Sequence, residues 1–336
     1  MTENPLAPSP SEHSLAPAVR TARVLTDRLR MAIKGRNEVI RLILIALFAD
    51  GHVLLEDYPG SGKTTLAKAL GESFANEEEE HIAAFRRVQF TPDLLPSDIT
   101  GVSVFDPTAG RFDFRPGPVF AHVLLADEIN RTSPKVQSAM LEAMAEKQVT
   151  VDNVTHPLHH FFFVIATQNP RDLAGTYPLP VAQLDRFLFK LNMDYIDRES
   201  EIDVLDTRRE RRAAPALRLV SRDEVVAARQ LIDQYVYVHP MIHHCLVDTA
   251  RNLREHKKVL QGVSTRSLVL MIPALQTAAM LSGRDYVSTE DIFDIAPHVF
   301  GHRLVVAPGA GDVKDVVREG LAAPLEKLTR MTLSES

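Results

Sequence analysis

The stretch HVLLEDYPGSGKTT, residues 52–65, constrains the fold more than any other part of the chain. An apolar run stops at a Gly-rich turn, and the turn opens into a helical pattern beginning at Lys63. A strand, a tight turn and a helix in that order leave backbone N–H groups converging where the positive end of the helix dipole lies, which is an anion site. The spacing reads as a phosphate cradle built from Pro59, Gly60, Ser61, Gly62, Lys63, Thr64 and Thr65. Gly60 and Gly62 let the backbone come close to a phosphate. Lys63 reaches the β- and γ-phosphates, and the Thr64 hydroxyl serves Mg²⁺. The expected ligand is therefore ATP with Mg²⁺. One position departs from the full pattern: Asp57 stands where a glycine is usual, and its carboxylate is expected to point away from the phosphates.

Three further apolar runs read as buried strands: residues 122–127, 161–167 and 187–193. Helical patterns separate several of them, so the expected architecture is α/β, with a parallel sheet covered on both faces. Past about residue 195 the spacing turns helical, with stretches near 198–212, 221–234, 240–256, 265–282 and 288–299. Ser221 with Glu224, and Ser288 with Asp291, have the spacing of capping boxes or near relatives of them. Residues 1–18, rich in Pro, Ser and Ala, read as a disordered tail. The expected organisation is that tail, an α/β nucleotide-binding domain over 19–194, and a smaller all-helical domain over 195–336.

A cradle alone does not define a hydrolase. The strand at 122–126 ends in Asp127 and Glu128, and acidic groups at a strand's C-terminal end sit where open α/β sheets bind ligands. Asp127 is placed to share Mg²⁺ with Thr64, and Glu128 to orient and deprotonate an attacking water. Asn169 ends the apolar strand of FVIATQNP, where an amide can hold that water or the γ-phosphate. Arg186, just before the last strand, and Arg266, at the start of a later helix, could each stabilise transition-state charge. His159–His160 and His243–His244 lack a third ligand at useful spacing, because neighbouring side chains diverge on a strand or a helix. Mg²⁺ is the one metal expected.

A net charge of −6 argues against a broadly basic nucleic-acid binder. The single Cys245 forms no internal disulfide, fits a reducing cytosol and is expected to be a buried structural thiol. No run of 18 apolar residues and no signal-like apolar core occur, so a cytoplasmic protein without a membrane span is expected.

The order of these elements resembles an AAA+ ATPase, in particular the MoxR family, over about residues 20–330. LLEDYPGSGKTTLAKAL is similar to that family's Walker A segment, and VLLADEINRTSPKVQSAMLEAMAE to its Walker B segment. ATQNP resembles sensor 1, QLDRFLFK the arginine-finger segment, and GVSTRSLVLMIPALQ the sensor 2 helix. Thr265 stands where a proline is often found. The resemblance implies a P-loop NTPase core followed by a helical lid, with catalytic Glu128, Asn169, Arg186 and Arg266, and with Gly35 added to the nucleotide-binding residues. It also implies ATP bound at the junction of core and lid, with Arg266 reporting the γ-phosphate to the lid. A ring, usually a hexamer, would let Arg186 act on the neighbour's ATP. Two hairpins, at 101–120 and 147–160, look like the family's inserts. The implied role is a chaperone or remodelling motor that matures protein complexes with a von Willebrand factor A domain partner. Three rivals remain open at this stage: a nucleic-acid motor, for which Arg111, Arg115 and Lys147 are thin provision, a magnesium-chelatase-like subunit, and an ATP-switched scaffold.

Overall fold

The computed structural model describes residues 12–56, 61–75, 82–169, 175–207 and 217–335. Along the first half run α1 (Glu12–Ala32), α2 (Asn37–Phe48), β1 (Val53–Glu56), α3 (Lys63–Gly71), β2 (Ala83–Gln89) and α4 (Pro96–Thr100). A hairpin follows, β3 (Gly101–Asp106) and β4 (Arg111–Pro116), then β5 (Ala121–Asp127) and α5 (Pro134–Glu146). A second hairpin, β6 (Gln148–Val151) and β7 (Val154–Pro157), leads to β8 (Phe163–Gln168), α6 (Val181–Leu184) and β9 (Phe189–Asn192).

Five of these strands form one parallel sheet in the order β2-β5-β8-β1-β9. The period-2 side-chain alternation of strands sorts its residues onto two faces. Val53, Leu55, Val123, Leu125, Phe163 and Ile165 join one core with α1, α2 and α3. Leu54, Leu124, Ala126, Val164 and Ala166 join another, with Val136, Met140 and Leu141 of α5. Both faces are thus buried, which is why these strands read as continuous apolar runs.

The second half is helical: α7 (Arg198–Asp206), α8 (Arg222–Tyr235), α9 (Pro240–Glu255), α10 (Thr265–Leu281), α11 (Thr289–Phe300) and α12 (Val313–Glu335), with a small ladder of β10 (Val259–Gln261) and β11 (Val305–Val306). Both expected capping boxes are present. Ser221 and Glu224 cap α8, and Ser288 and Asp291 cap α11. The larger core cluster runs without a break from the sheet into these helices. Helix α8 in particular is stitched to the first half. Arg229 donates to Leu47 O (3.0 and 2.7 Å) and pairs with Asp50 (2.6 Å), and Arg28 of α1 donates to Leu217 O at 2.6 Å.

Three elements differ from expectation. The disordered tail was drawn too long, since α1 begins at Glu12 and buries Leu15 and Ala18. Those residues continue the three-to-four spacing of Ala22, Leu25 and Leu29, so packing overrides the Pro-rich composition. Strand β2 buries only Val88 because it is an edge strand; its arginines 86 and 87 are exposed. Helix α12 buries Val316, Val317, Leu321 and Leu328 behind a polar face, despite an internal Pro324.

Two histidines are buried in defined neutral forms. His52 accepts from Val164 N–H through Nδ1 (3.1 Å) and donates from Nε2 to Met144 O (3.2 Å). His122 donates from Nδ1 to Phe161 O (3.2 Å), and its Nε2 accepts from Arg222. Burial pushes each down to about 4. Cys245 is buried, and desolvation raises its thiol to about 11, so it is the inert thiol expected. Among the described residues no helix is long and apolar enough to cross a membrane.

Candidate active site

Helix α3 begins immediately after Gly62, whose φ of 96° lies in the left-handed region that favours glycine. The capping residue Gly62 has no side chain to occupy the N–H groups of the first turn, which suits them to an anion. A Cβ at Gly62 would also stand 3.1 Å from Ile33, so space as well as conformation favours glycine there. Lys63, Thr64 and Thr65 form the first turn. The Ser61 hydroxyl is buried with no hydrogen-bond partner among the described residues, which suits a ligand oxygen. Asp57, Pro59 and Gly60 lie outside the described residues, and so does the expected orientation of the Asp57 carboxylate.

The acidic pair stands at the C-terminal end of β5. Asp127 is almost fully buried. Its Oδ1 accepts from Thr167 Oγ1 at 2.7 Å, and its Oδ2 accepts from Arg87 Nη2 at 2.7 Å and Nε at 3.2 Å. The same Thr167 oxygen accepts from the Glu128 N–H at 2.8 Å. Glu128 itself has φ 57°, a left-handed conformation unusual for a residue with a side chain. Its Oε2 accepts from Gln89 Nε2 (2.8 Å) and Arg131 Nε (3.0 Å). The strained turn and the four donating side chains around it fix where both carboxylates stand.

These groups meet in one cleft of about 400 Å³, lined by Ser61, Gly62, Lys63, Thr64, Thr65, Arg87, Gln89, Asp127, Glu128 and Asn169. Seven of the sequence-derived residues at the described positions of the P-loop and Walker B segments, and the sensor Asn169, therefore share one space. It lies off the C-terminal ends of parallel strands, the usual ligand position in such sheets. The cleft fits a nucleoside triphosphate with its cation: a helix N-terminus and a lysine for phosphate, and hard oxygen donors from Thr64 and Asp127 for Mg²⁺.

Arg87, Gln89, Thr167 and Arg131 were missed by sequence reasoning. The available signal was the alternation Arg87-Val88-Gln89, which points two polar side chains to one side of a strand ending level with Asp127.

Three expected residues do not line the cleft. Gly35, with φ 68°, packs against Ser200, where a Cβ would come within 2.7 Å. Its turn follows Ile33, the residue nearest Gly62. Arg186 lies before the N-terminal end of β9, whereas the cleft lies at the other end of the sheet. Its Nη1 donates to Ala182 O at 3.1 Å. Arg266 is exposed in the first turn of α10, whose capping Ser264 bonds Asp185 Oδ2 at 3.0 Å. Arg266, expected to report γ-phosphate to its own lid with nucleotide between core and lid, is not among the described residues of the cleft. The described lining comes wholly from the α/β half, because α10 starts beside the Asp185 segment instead.

The one group of three metal-capable residues among those described is Glu38, Asp294 and His298. Arg41 already pairs with Glu38 at 3.0 Å and with Asp294, so that charge is spent on an arginine. Neither histidine pair belongs to such a group among the described residues.

A helix start carrying Lys63, faced across a cleft by an acidic strand end, defines a P-loop nucleoside-triphosphatase. Residues 52–189 match the model of the ATPase family associated with various cellular activities (AAA), and residues 251–319 match the AAA lid domain. The chain is 44% identical over 301 residues to the uncharacterized protein YeaC of Bacillus subtilis, covering 88% of this chain and 92% of that one. It is 36% identical to Chaperone MoxR1 of Mycobacterium tuberculosis (89% and 80% covered), and 30% identical to Protein MoxR of Methylorubrum extorquens (82% and 85%). A crystal structure from Cytophaga hutchinsonii, of a protein proposed there to be an ATPase, superposes with a TM-score of 0.81 at 34% identity, covering 93% and 96%. The chain belongs to the MoxR family of AAA+ ATPases.

Proposed function

We propose that the protein is an ATP-hydrolysing chaperone or remodelling motor that works as a ring. The observation that carries this reading is the pairing of Asp127 and Glu128 across one cleft from Lys63 and Thr64. Lys63 and the first N–H groups of α3 bind the phosphates. Thr64 and Asp127 would hold Mg²⁺, which when bound neutralises phosphate charge. Glu128 takes a proton from the attacking water, and Asn169 orients that water. Gln89 and Arg131 hold the Glu128 carboxylate away from that task, so binding must first loosen them.

No described arginine of the α/β half other than Arg87 lines the cleft, and Arg87 is committed to Asp127. A dissociative transition state needs cationic support on the transferring phosphate. Arg186 and Arg266 lie toward the far end of β9, away from their own cleft, which supports a role for them on the phosphates of an adjoining subunit in a ring. The family names MoxR and Chaperone MoxR1 support a client-maturing role, with a von Willebrand factor A domain protein as the proposed partner and the cytoplasm as the proposed place.

The hairpins favour a protein client over nucleic acid. Lys147 is tied to Asp50 (2.5 Å) and His160 O (2.9 Å), and Arg111 to Asp113 (2.9 Å). The hairpin tip of β3 and β4 instead presents Phe105 and Phe112, 52% and 70% exposed. Glu128→Gln tests the reading: it should bind ATP as the parent does and hydrolyse it ~10²–10⁴-fold more slowly, the loss of a general base. Unchanged turnover in that variant would remove the proposed mechanism.

A further inference from the structure

Arg303 is 2% exposed, and a guanidinium is costly to bury unless its donors are met. Its Nε donates to Asp185 Oδ1 at 2.7 Å. Nη2 reaches Phe187 O (2.6 Å) and Asp185 O (3.2 Å), while Nη1 reaches Leu188 O (3.2 Å) and Val299 O. His302 adds a bond from Nε2 to Phe187 O at 3.1 Å. The second carboxylate oxygen of Asp185 takes Ser264 Oγ at 3.0 Å, and Ser267 Oγ lies 3.3 Å from the first. One carboxylate therefore joins three pieces of chain: the segment 185–188, the start of α10, and the turn 301–303 that follows α11. Arg186 is the next residue after Asp185, and Arg266 lies between Ser264 and Ser267 in the first turn of α10.

We propose that Asp185 and Arg303 form a clamp that fixes Arg186 and Arg266 as one unit, so that both arginines are presented together to the phosphates of a neighbouring subunit. This rests on the reading that those arginines act across the ring. Asp185 and Arg303 are positioning residues: neither lines the cleft. A buried ion pair is a poor choice for stability alone, since well-packed apolar groups of similar volume often serve as well or better. What it provides is fixed geometry, and a misplacement of ~1 Å in a catalytic group can cost ~10²-fold in rate.

The test uses mixed rings, in which one subunit donates arginines and the other supplies a working cleft. Glu128→Gln subunits donate but cannot hydrolyse. Arg186→Ala subunits can hydrolyse but cannot donate. Mixing the two should restore ATP turnover that neither shows alone; no restoration would overturn the cross-subunit reading and the clamp with it. Adding Asp185→Asn to the Glu128→Gln donor should lower the restored rate by ~10–100-fold. Adding it to the Arg186→Ala subunit should leave the restored rate unchanged, because that subunit's own clamp presents nothing at the working cleft. Restoration as full with the Asp185→Asn donor as without it would overturn the clamp alone. Equal loss from either placement would do the same, since it marks a general structural defect. ATP affinity of the doubly substituted donor checks that it is folded. Should it fail that check, Ser267→Ala in the donor decides, with a fall of about threefold expected for the loss of one hydrogen bond and no fall overturning the clamp.

Discussion

Thr167 does for Asp127 what no residue near it in sequence can do. Its hydroxyl donates to one carboxylate oxygen and accepts the next residue's N–H, so it fixes both the side chain and the backbone turn. Groups that orient a metal ligand typically matter ~10–100-fold in affinity. Thr167→Val should therefore weaken Mg²⁺ dependence of ATPase activity by about tenfold, read as the half-saturating Mg²⁺ concentration at fixed ATP. Lys63, Asp127, Glu128 and Asn169 were legible because each ends or begins an apolar run in the sequence. Arg87, Gln89 and Thr167 were not, because their partners are about 40 residues away and the contact exists only once β2, β5 and β8 are side by side. The buried histidines set a pH limit. His52 titrates near 4 when folded and near 6.5 when unfolded, so the unfolded chain binds the extra proton between those values. Stability is full above pH ~6.5 and falls as pH drops toward 4, by about 3 kcal/mol for a shift of this size. Denaturant unfolding at pH 7 and pH 5 measures it. His52→Gln should flatten part of that dependence.

At the scale of elements, the strands and helices with both a pattern and a punctuation mark were readable. Ser221 with Glu224 marked the start of α8, and the box is there, with Ser221 Oγ accepting from Glu224 N–H at 3.1 Å. Ser221→Ala should cost about 1 kcal/mol, seen as a lower urea midpoint with an unchanged slope. The hairpin β6–β7 announced itself through Asp152-Asn153, whose φ values of 50° and 62° suit a tight turn. Strand β2 carried no such signal, because an edge strand buries little and so need not be apolar. Helix α12 was hidden by Pro324 and by a polar face that faces water while α9 and α11 cover the other. Composition misread the start of α1 for a related reason: burial of Leu15 depends on α8, more than 200 residues away.

For the molecule as a whole, the main unread feature was the position of Arg266. Its sequence context suggested a group over its own nucleotide, but the start of α10 is held by Asp185 at the other end of the sheet. Nothing in a linear pattern tells which subunit an exposed arginine serves. A chain whose cleft is completed by another copy should show ATP turnover per subunit that rises with protein concentration and then levels off. Arg186→Ala should level off ~10³-fold lower or more, as expected for an arginine finger. Turnover per subunit that stays constant on dilution well below the concentration of ring assembly would argue for a self-sufficient monomer.

One consequence follows from the pairing of Arg87 with Asp127 at 2.7 Å. The cleft carries its own counter-ion for Asp127, so the acidic strand end does not wait on a divalent ion to be tolerable. Chelation should leave the melting temperature of nucleotide-free protein where it was, while ATP supplied with Mg²⁺ should raise it through preferential binding to the folded form. Loading the ion then adds a second positive partner to a carboxylate that already holds one, and the phosphates must look elsewhere for theirs.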